Sequence, residues 1–183
     1  MNAGATTTNT WAVDIGNTVS GAGTVTSVNG DILINGTSGN GNNSIGGLVY
    51  NGSSVQASGI GNVTINGTTG NGIAALQGSR AVVIERGSLV HTNSGILTLN
   101  GVSSSTVAPT GAAGVQINGD YGDSTVDSTT GAINIIGSAV SGIGTGVVVN
   151  VPVVASKVGN GTTGNILIRS LNGSGILLAG AAR

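Results

Sequence analysis

Few side chains in this sequence could do chemistry, and they are scattered. The one histidine, His91, stands between Val90 and Thr92, and cysteine is absent. Zinc therefore lacks its usual thiolate and second imidazole ligands, and disulfide staples cannot form. No serine lies in a Gly-x-Ser-x-Gly elbow, so nucleophilic hydrolysis has no motif to carry it. His91 is expected to be a surface or loop histidine in the insertion of the second repeat unit. Asp120, Asp123 and Asp127 form the densest acidic group. Calcium prefers several hard oxygen ligands, which such a segment could supply. Its spacing matches neither the helix-loop-helix calcium loop nor the aspartate-glycine nonapeptide, and a solvated polar loop is the expectation. Two flanking carboxylates also suit glycoside cleavage, although only Tyr121 offers an aromatic platform. Arg80, Glu85 and Arg86 make the one dense mixed-charge patch, expected at a solvated edge where ion pairing contributes little. No catalytic, cofactor-binding or metal-ligating residue is assigned, and the expectation is a protein that is not an enzyme.

Composition narrows the partners. Five basic and six acidic residues among 183 give a net charge of -1, with no basic patch for a phosphate backbone, so nucleic acid is not an expected partner. No run of 18 or more apolar residues is present, and insertion of a helix into a membrane is not expected. Met1 does not lead into a charged segment followed by an apolar stretch of the secretory kind. Glycine accounts for 35 residues without the every-third spacing of collagen. The hydrophobic fraction of 38% with a near-zero net charge argues against disorder.

The elements that must position these residues are announced by a recurring phrase. It appears as GDILING at 30–36, GNVTING at 61–67, GILTLNG at 95–101, GAINIIG at 131–137 and GNILIRS at 164–170. The steps are 31, 34, 36 and 33 residues, a period that belongs to solenoids. Ile32, Val63, Leu97, Ile133 and Ile166 share one column, and Ile34, Ile65, Leu99, Ile135 and Ile168 share another two residues on. Strand side chains alternate faces, so these columns should point inward and the mixed column Leu33, Thr64, Thr98, Asn134, Leu167 outward.

A second strand family is placed at 11–16, 47–52, 74–78, 114–119, 146–151 and 175–180, and a third at 24–28, 53–57, 81–85, 124–128 and 151–155. Three strands per turn in a constant cyclic order describe a right-handed parallel β-helix of about five coils over residues 1–183, one segment of a rod. Asn35, Asn66 and Asn100 are expected at left-handed corners beside Gly36, Gly67 and Gly101, with their amides stacked along the axis. That column breaks at Ile136 and Arg169. Antiparallel hairpins with Asn-Gly turns are the competing fold. They do not explain why the aliphatic columns keep their spacing while the unit length changes. Asn35, Asn42, Asn51, Asn62, Asn66, Asn160 and Asn172 each open an Asn-x-Ser/Thr triplet, which matters only where glycosylation machinery is met.

At GDILING, GNVTINGTTGNG and GILTLNG the chain resembles the β-helical passenger regions of bacterial surface and secreted adhesins. These include the filamentous-haemagglutinin-like exoproteins and the autotransporters. The likeness is periodic and compositional, and no Arg-Gly-Asp is present: Arg86-Gly87 continues into Ser88. The resemblance implies an extracellular or cell-surface rod that attaches to a host, neighbouring-cell or matrix glycan or protein. The loops expected to do so are 37–46, 87–94, 103–114 and 120–127. Alternative readings are end-to-end assembly of identical units into a fibre, and a polysaccharide-cleaving β-helix. A regular ice- or mineral-binding plane is not expected from so mixed an outward column.

Overall fold

The computed structural model describes residues 10–17, 19–41, 43–71, 78–106, 111–119, 122–140, 143–151, 157–159 and 162–180. Among them, sixteen strands form three sheets paired in parallel throughout. Sheet I contains β1 (Thr10–Ile15), β4 (Ser44–Val49), β7 (Arg80–Glu85), β10 (Ala113–Asn118), β13 (Thr145–Val151) and β16 (Ile176–Gly180). Sheet II contains β2 (Thr24–Ser27), β5 (Ser54–Ala57), β8 (Leu89–Thr92), β11 (Thr125–Ser128) and β14 (Lys157–Val158). Sheet III contains β3 (Ile32–Ser38), β6 (Val63–Thr69), β9 (Leu97–Ser103), β12 (Ile133–Ser138) and β15 (Ile166–Asn172). The chain visits the sheets in that order, and each strand bonds the one three places ahead. The result is a right-handed β-solenoid of four to five coils.

The GDILING phrases form sheet III in the expected register. Ile32 pairs with Val63, Val63 with Leu97, Leu97 with Ile133 and Ile133 with Ile166. Val63, Leu97, Leu99, Ile133 and Ile135 are fully buried, and the core continues through Val55, Val90 and Val126 of sheet II and Val82, Ile84, Val115 and Ile117 of sheet I. Each column is one side chain wide, so an interior residue packs on copies of itself above and below. Burying a Val, Leu or Ile in this way contributes roughly 1.5–3 kcal/mol.

Two strand assignments differ from the sequence expectation. Residues 81–85 belong to β7 of sheet I, and the third-family strand of that coil is β8, Leu89–Thr92. Of the segment 74–78 expected in this sheet, 74–77 lie outside the described residues. The reason is that Ala81 to Ile84 are buried on both faces, as is all of β4, so no alternation reveals which way the strand faces. Outside the main core, Ile45, Leu48 and Val83 form a second buried cluster with Tyr50 packed against it. Likewise Val151 ends β13, residues 152–155 lie outside the described residues, and Lys157–Val158 supply the sheet II strand.

The Asn-Gly column also behaves differently. Asn35, Asn66 and Asn100 lie inside strands, and the left-handed corner falls between sheets I and II, at Asn51-Gly52 (φ 58° and 75°) and Arg86-Gly87 (φ 57° and 74°). The amide stack is nevertheless formed: Asn66 Nδ2 donates to Asn35 Oδ1 at 2.8 Å. The following glycines are required by proximity. A Cβ at Gly36, Gly67, Gly101 or Gly137 would overlap a carbonyl oxygen of the same coil's sheet I strand, that of Gly46, Ala81, Gly114 and Gly146 respectively. Sheets III and I meet there with nothing between their backbones. At the next corner Ser53, Ser88 and Ser124 are fully buried and turn their hydroxyls back onto the carbonyls of Tyr50, Glu85 and Asn118.

Gly67→Ala is expected to destabilise the fold by about 3 kcal/mol or more, because backbone must move to admit one methyl. Gly39→Ala, where a Cβ meets nothing within 4 Å, is the control and should leave the urea midpoint nearly unchanged. Asp14 stands in register with buried Leu48 on the outer face of sheet I, and burial raises its carboxyl above the usual value. Its protonated form is therefore favoured by folding, a contribution present at low pH and lost as pH rises through the raised folded value. Asp14→Asn should give a small gain in melting temperature at neutral pH that vanishes under acid conditions.

Candidate functional site

The functional residue types converge at one described place, the outer face of sheet II. Its strands are short and alternate cleanly, so Val55, Val90 and Val126 enter the core while their neighbours point out. The outward residues read Thr24 and Thr26 on β2, Ser54 and Gln56 on β5, Leu89 and His91 on β8, and Thr125 and Asp127 on β11, with Lys157 beyond Thr125 on β14. Parallel pairing puts Gln56, His91 and Asp127 in one axial row.

Within that row His91 Nδ1 lies 2.6 Å from Asp127 Oδ1, and only 21% and 17% of the two side chains remain exposed. Against an ionised carboxylate, which only accepts, Nδ1 is the donating nitrogen of this contact. Such a pair can hold an imidazole in one orientation and move a proton at Nε2. Of the surface-or-loop expectation for His91, the surface part holds, but on the outer face of a strand and not in an insertion. It is a strand residue, partnered by a carboxylate 36 positions later. Local sequence carried no signal for this, since only coil-to-coil register makes them neighbours.

The acidic group is divided by the same pairing. Asp127 turns to His91, Asp123 is exposed in the corner before β11, and Asp120 and Tyr121 lie outside the described residues. Among the described residues no three His, Cys, Asp or Glu side chains converge as metal ligands. Arg80 and Glu85 do meet, at 3.7 Å, and Arg80 Nη2 donates to Asn43 Oδ1 at 2.9 Å. With 18% and 14% of these side chains exposed, this is a half-buried network rather than the solvated edge expected. Burial lowers the Arg80 guanidinium from its usual value and Glu85 acts in the opposite sense. Arg86 lies over the Tyr50 ring, 4.9 Å from its centroid. A cation–π contact of about 0.5–1 kcal/mol offsets part of the cost of its left-handed backbone.

Of the Asn-x-Ser/Thr triplets, Asn51, Asn62 and Asn66 already commit their amide nitrogens, to Asn17 O, Asp31 Oδ1 and Asn35 Oδ1. Asn42 and Asn160 lie outside the described residues. Among the described residues no helix is long and apolar enough to cross a membrane. Compared with protein-family models, with curated proteins and with solved structures, the chain matches none.

A double-mutant cycle over His91→Ala and Asp127→Ala is expected to return a coupling of about 0.5–1.5 kcal/mol in stability. A coupling of zero would mean that the pair is not held in solution.

Proposed function

We propose that this β-solenoid is a non-catalytic extracellular or cell-surface rod that attaches to a glycan or protein of another cell or of the matrix. The observation that carries this reading is the freedom of the corners, from sheet III to sheet I and also from sheet I to sheet II, where 86–88 and 16–23 span three and eight residues. The connections from sheet III to sheet I run from three residues (173–175) to ten (70–79), while the columns on either side keep their register. A scaffold that accepts insertions at its corners without disturbing its core can vary its contacts there. The charge of -1 and the hydroxyl- and amide-rich outer faces fit adhesion through hydrogen bonds rather than through a strong field. The loops 37–46 and 103–114 are shorter than the sequence suggested, because β3 and β4 extend into the first and β9 and β10 into the second, and the expected loops 87–94 and 120–127 contain strand β8 and the start of strand β11.

A second reading, end-to-end assembly, is favoured by the last described coil. Ile166, Ile176 and Leu178 occupy inward columns yet are 46%, 45% and 69% exposed. Surfaces of this kind are association sites when they are contiguous. Polymers growing along the axis in electron micrographs, with mass rising with concentration, would favour it.

Attachment is tested by presenting the labelled chain to arrays of glycans and matrix proteins while assaying for newly released sugar ends. Binding without release is the expected outcome. Release that disappears in His91→Ala would replace this reading with polysaccharide cleavage by the imidazole–carboxylate pair.

A further inference from the structure

Sheet III carries a shallow groove of about 370 Å³ on its outer face, inside the range of about 300–1,000 Å³ typical of small-ligand sites. Three neighbouring strands contribute two outward side chains each: Asp31 and Leu33 at β3, Asn62 and Thr64 at β6, Ile96 and Thr98 at β9. Strand spacing and rise make this a grid of about 4.8 Å by 6.7 Å. Its two aliphatic side chains stand at opposite corners, Leu33 62% and Ile96 48% exposed, roughly 12 Å apart on that grid. Polar groups occupy the remaining positions.

Those groups are positioned by the solenoid and still have capacity. Asp31 Oδ1 accepts from Asn62 N at 2.8 Å and Asn62 Nδ2 at 3.1 Å, and Asn62 Oδ1 accepts from Ile96 N at 2.8 Å. This axial chain locks the Asp31 and Asn62 rotamers. It leaves Asp31 Oδ2, and the hydroxyls of Thr64 and Thr98, without a partner among the described residues. The groove thus offers a preset carboxylate acceptor, two hydroxyls that both donate and accept, and two aliphatic pads.

We infer that this groove binds a short uncharged oligosaccharide, the Asp31 carboxylate and the Thr64 and Thr98 hydroxyls taking its hydroxyl groups while Leu33 and Ile96 cover its C–H faces. The inference rests on the attachment reading and assigns it a site. Three arguments select this occupant. A polyol carries donor and acceptor on each hydroxyl, so scattered side-chain groups can satisfy it, whereas an extended peptide brings a row of backbone groups that need a strand edge. The groove lies on the face of sheet III, where β6 and β9 are paired on both sides and β3, the terminal strand, is paired on one side among the described residues. The carboxylate, with no cation among the lining residues, opposes uronates, sialic acids and phosphates.

The test uses the intact chain with cellotetraose, maltotetraose and chitotetraose as uncharged probes and tetragalacturonate as the anionic one. Methyl signals of Leu33 and Ile96 should shift with at least one uncharged probe and not with tetragalacturonate. Leu33→Ser combined with Thr98→Ala should weaken that binding at least tenfold, and Asp31→Asn, which keeps an acceptor toward Asn62, should weaken it severalfold. Unchanged circular dichroism and melting of these surface variants would separate loss of contact from loss of fold. No shift with any uncharged probe, or an equal shift with tetragalacturonate, overturns the groove assignment. If the variants still attach to glycan or protein arrays as the unaltered chain does, the groove falls and the attachment reading stands. If the unaltered chain attaches to nothing, both fall.

Discussion

Parallel hydrogen bonding from each coil to the next is the constraint on which the rest of this structure depends. It puts equivalent residues about 4.8 Å apart along the axis, so whatever one coil places inward must be compatible with the same thing directly above it. Aliphatic side chains meet that condition without further help, which is why Leu97, Leu99, Ile133 and Ile135 can stack at full burial. Many polar residues meet it through hydrogen bonds, either within one corner or along the axis. The buried serines at 53, 88 and 124 turn onto corner carbonyls, and Asn66 reaches down to Asn35.

The same geometry gives the outer surface a direction. Asn40 Oδ1 accepts from the backbone of Asn71, and Asn71 Oδ1 from Thr106, just as Asp31 serves Asn62 and Asn62 serves Ile96. In every one of these contacts an oxygen of the earlier coil receives an N–H of the later one. Corner N–H groups beyond the reach of the strand ladder are satisfied in this way. The short polar residues so abundant here are therefore structural parts of the solenoid as much as surface decoration.

Function is confined by this arrangement to what the core does not use. In the interior coils the inward columns are closed and the backbone is paired, and the side chains that remain are arranged on the outer faces in a grid set by strand spacing. One row of that grid brings His91 to Asp127, and another brings a carboxylate, hydroxyls and exposed aliphatic groups into one groove. Neither arrangement required a dedicated loop. Both are products of register, whereas the corners supply the variable loops.

The period, the inward columns and the poverty of charged and thiol groups were legible in the linear sequence, because each of those features repeats in the same local phrase. Sheet III was readable for that reason: its five copies carry their own alternation. Tertiary structure alone decided which sheet takes Ala81 to Ile84, because a strand buried on both faces has no alternation to read. It also decided that Asp127 answers His91, and that Gly67 is needed to clear the Ala81 carbonyl rather than to turn a corner. The physical reason is common to all three. Partners in a parallel solenoid stand one turn apart, across connections of unequal length, so their meeting is settled by hydrogen-bond register and packing around the whole coil and not by any local spacing.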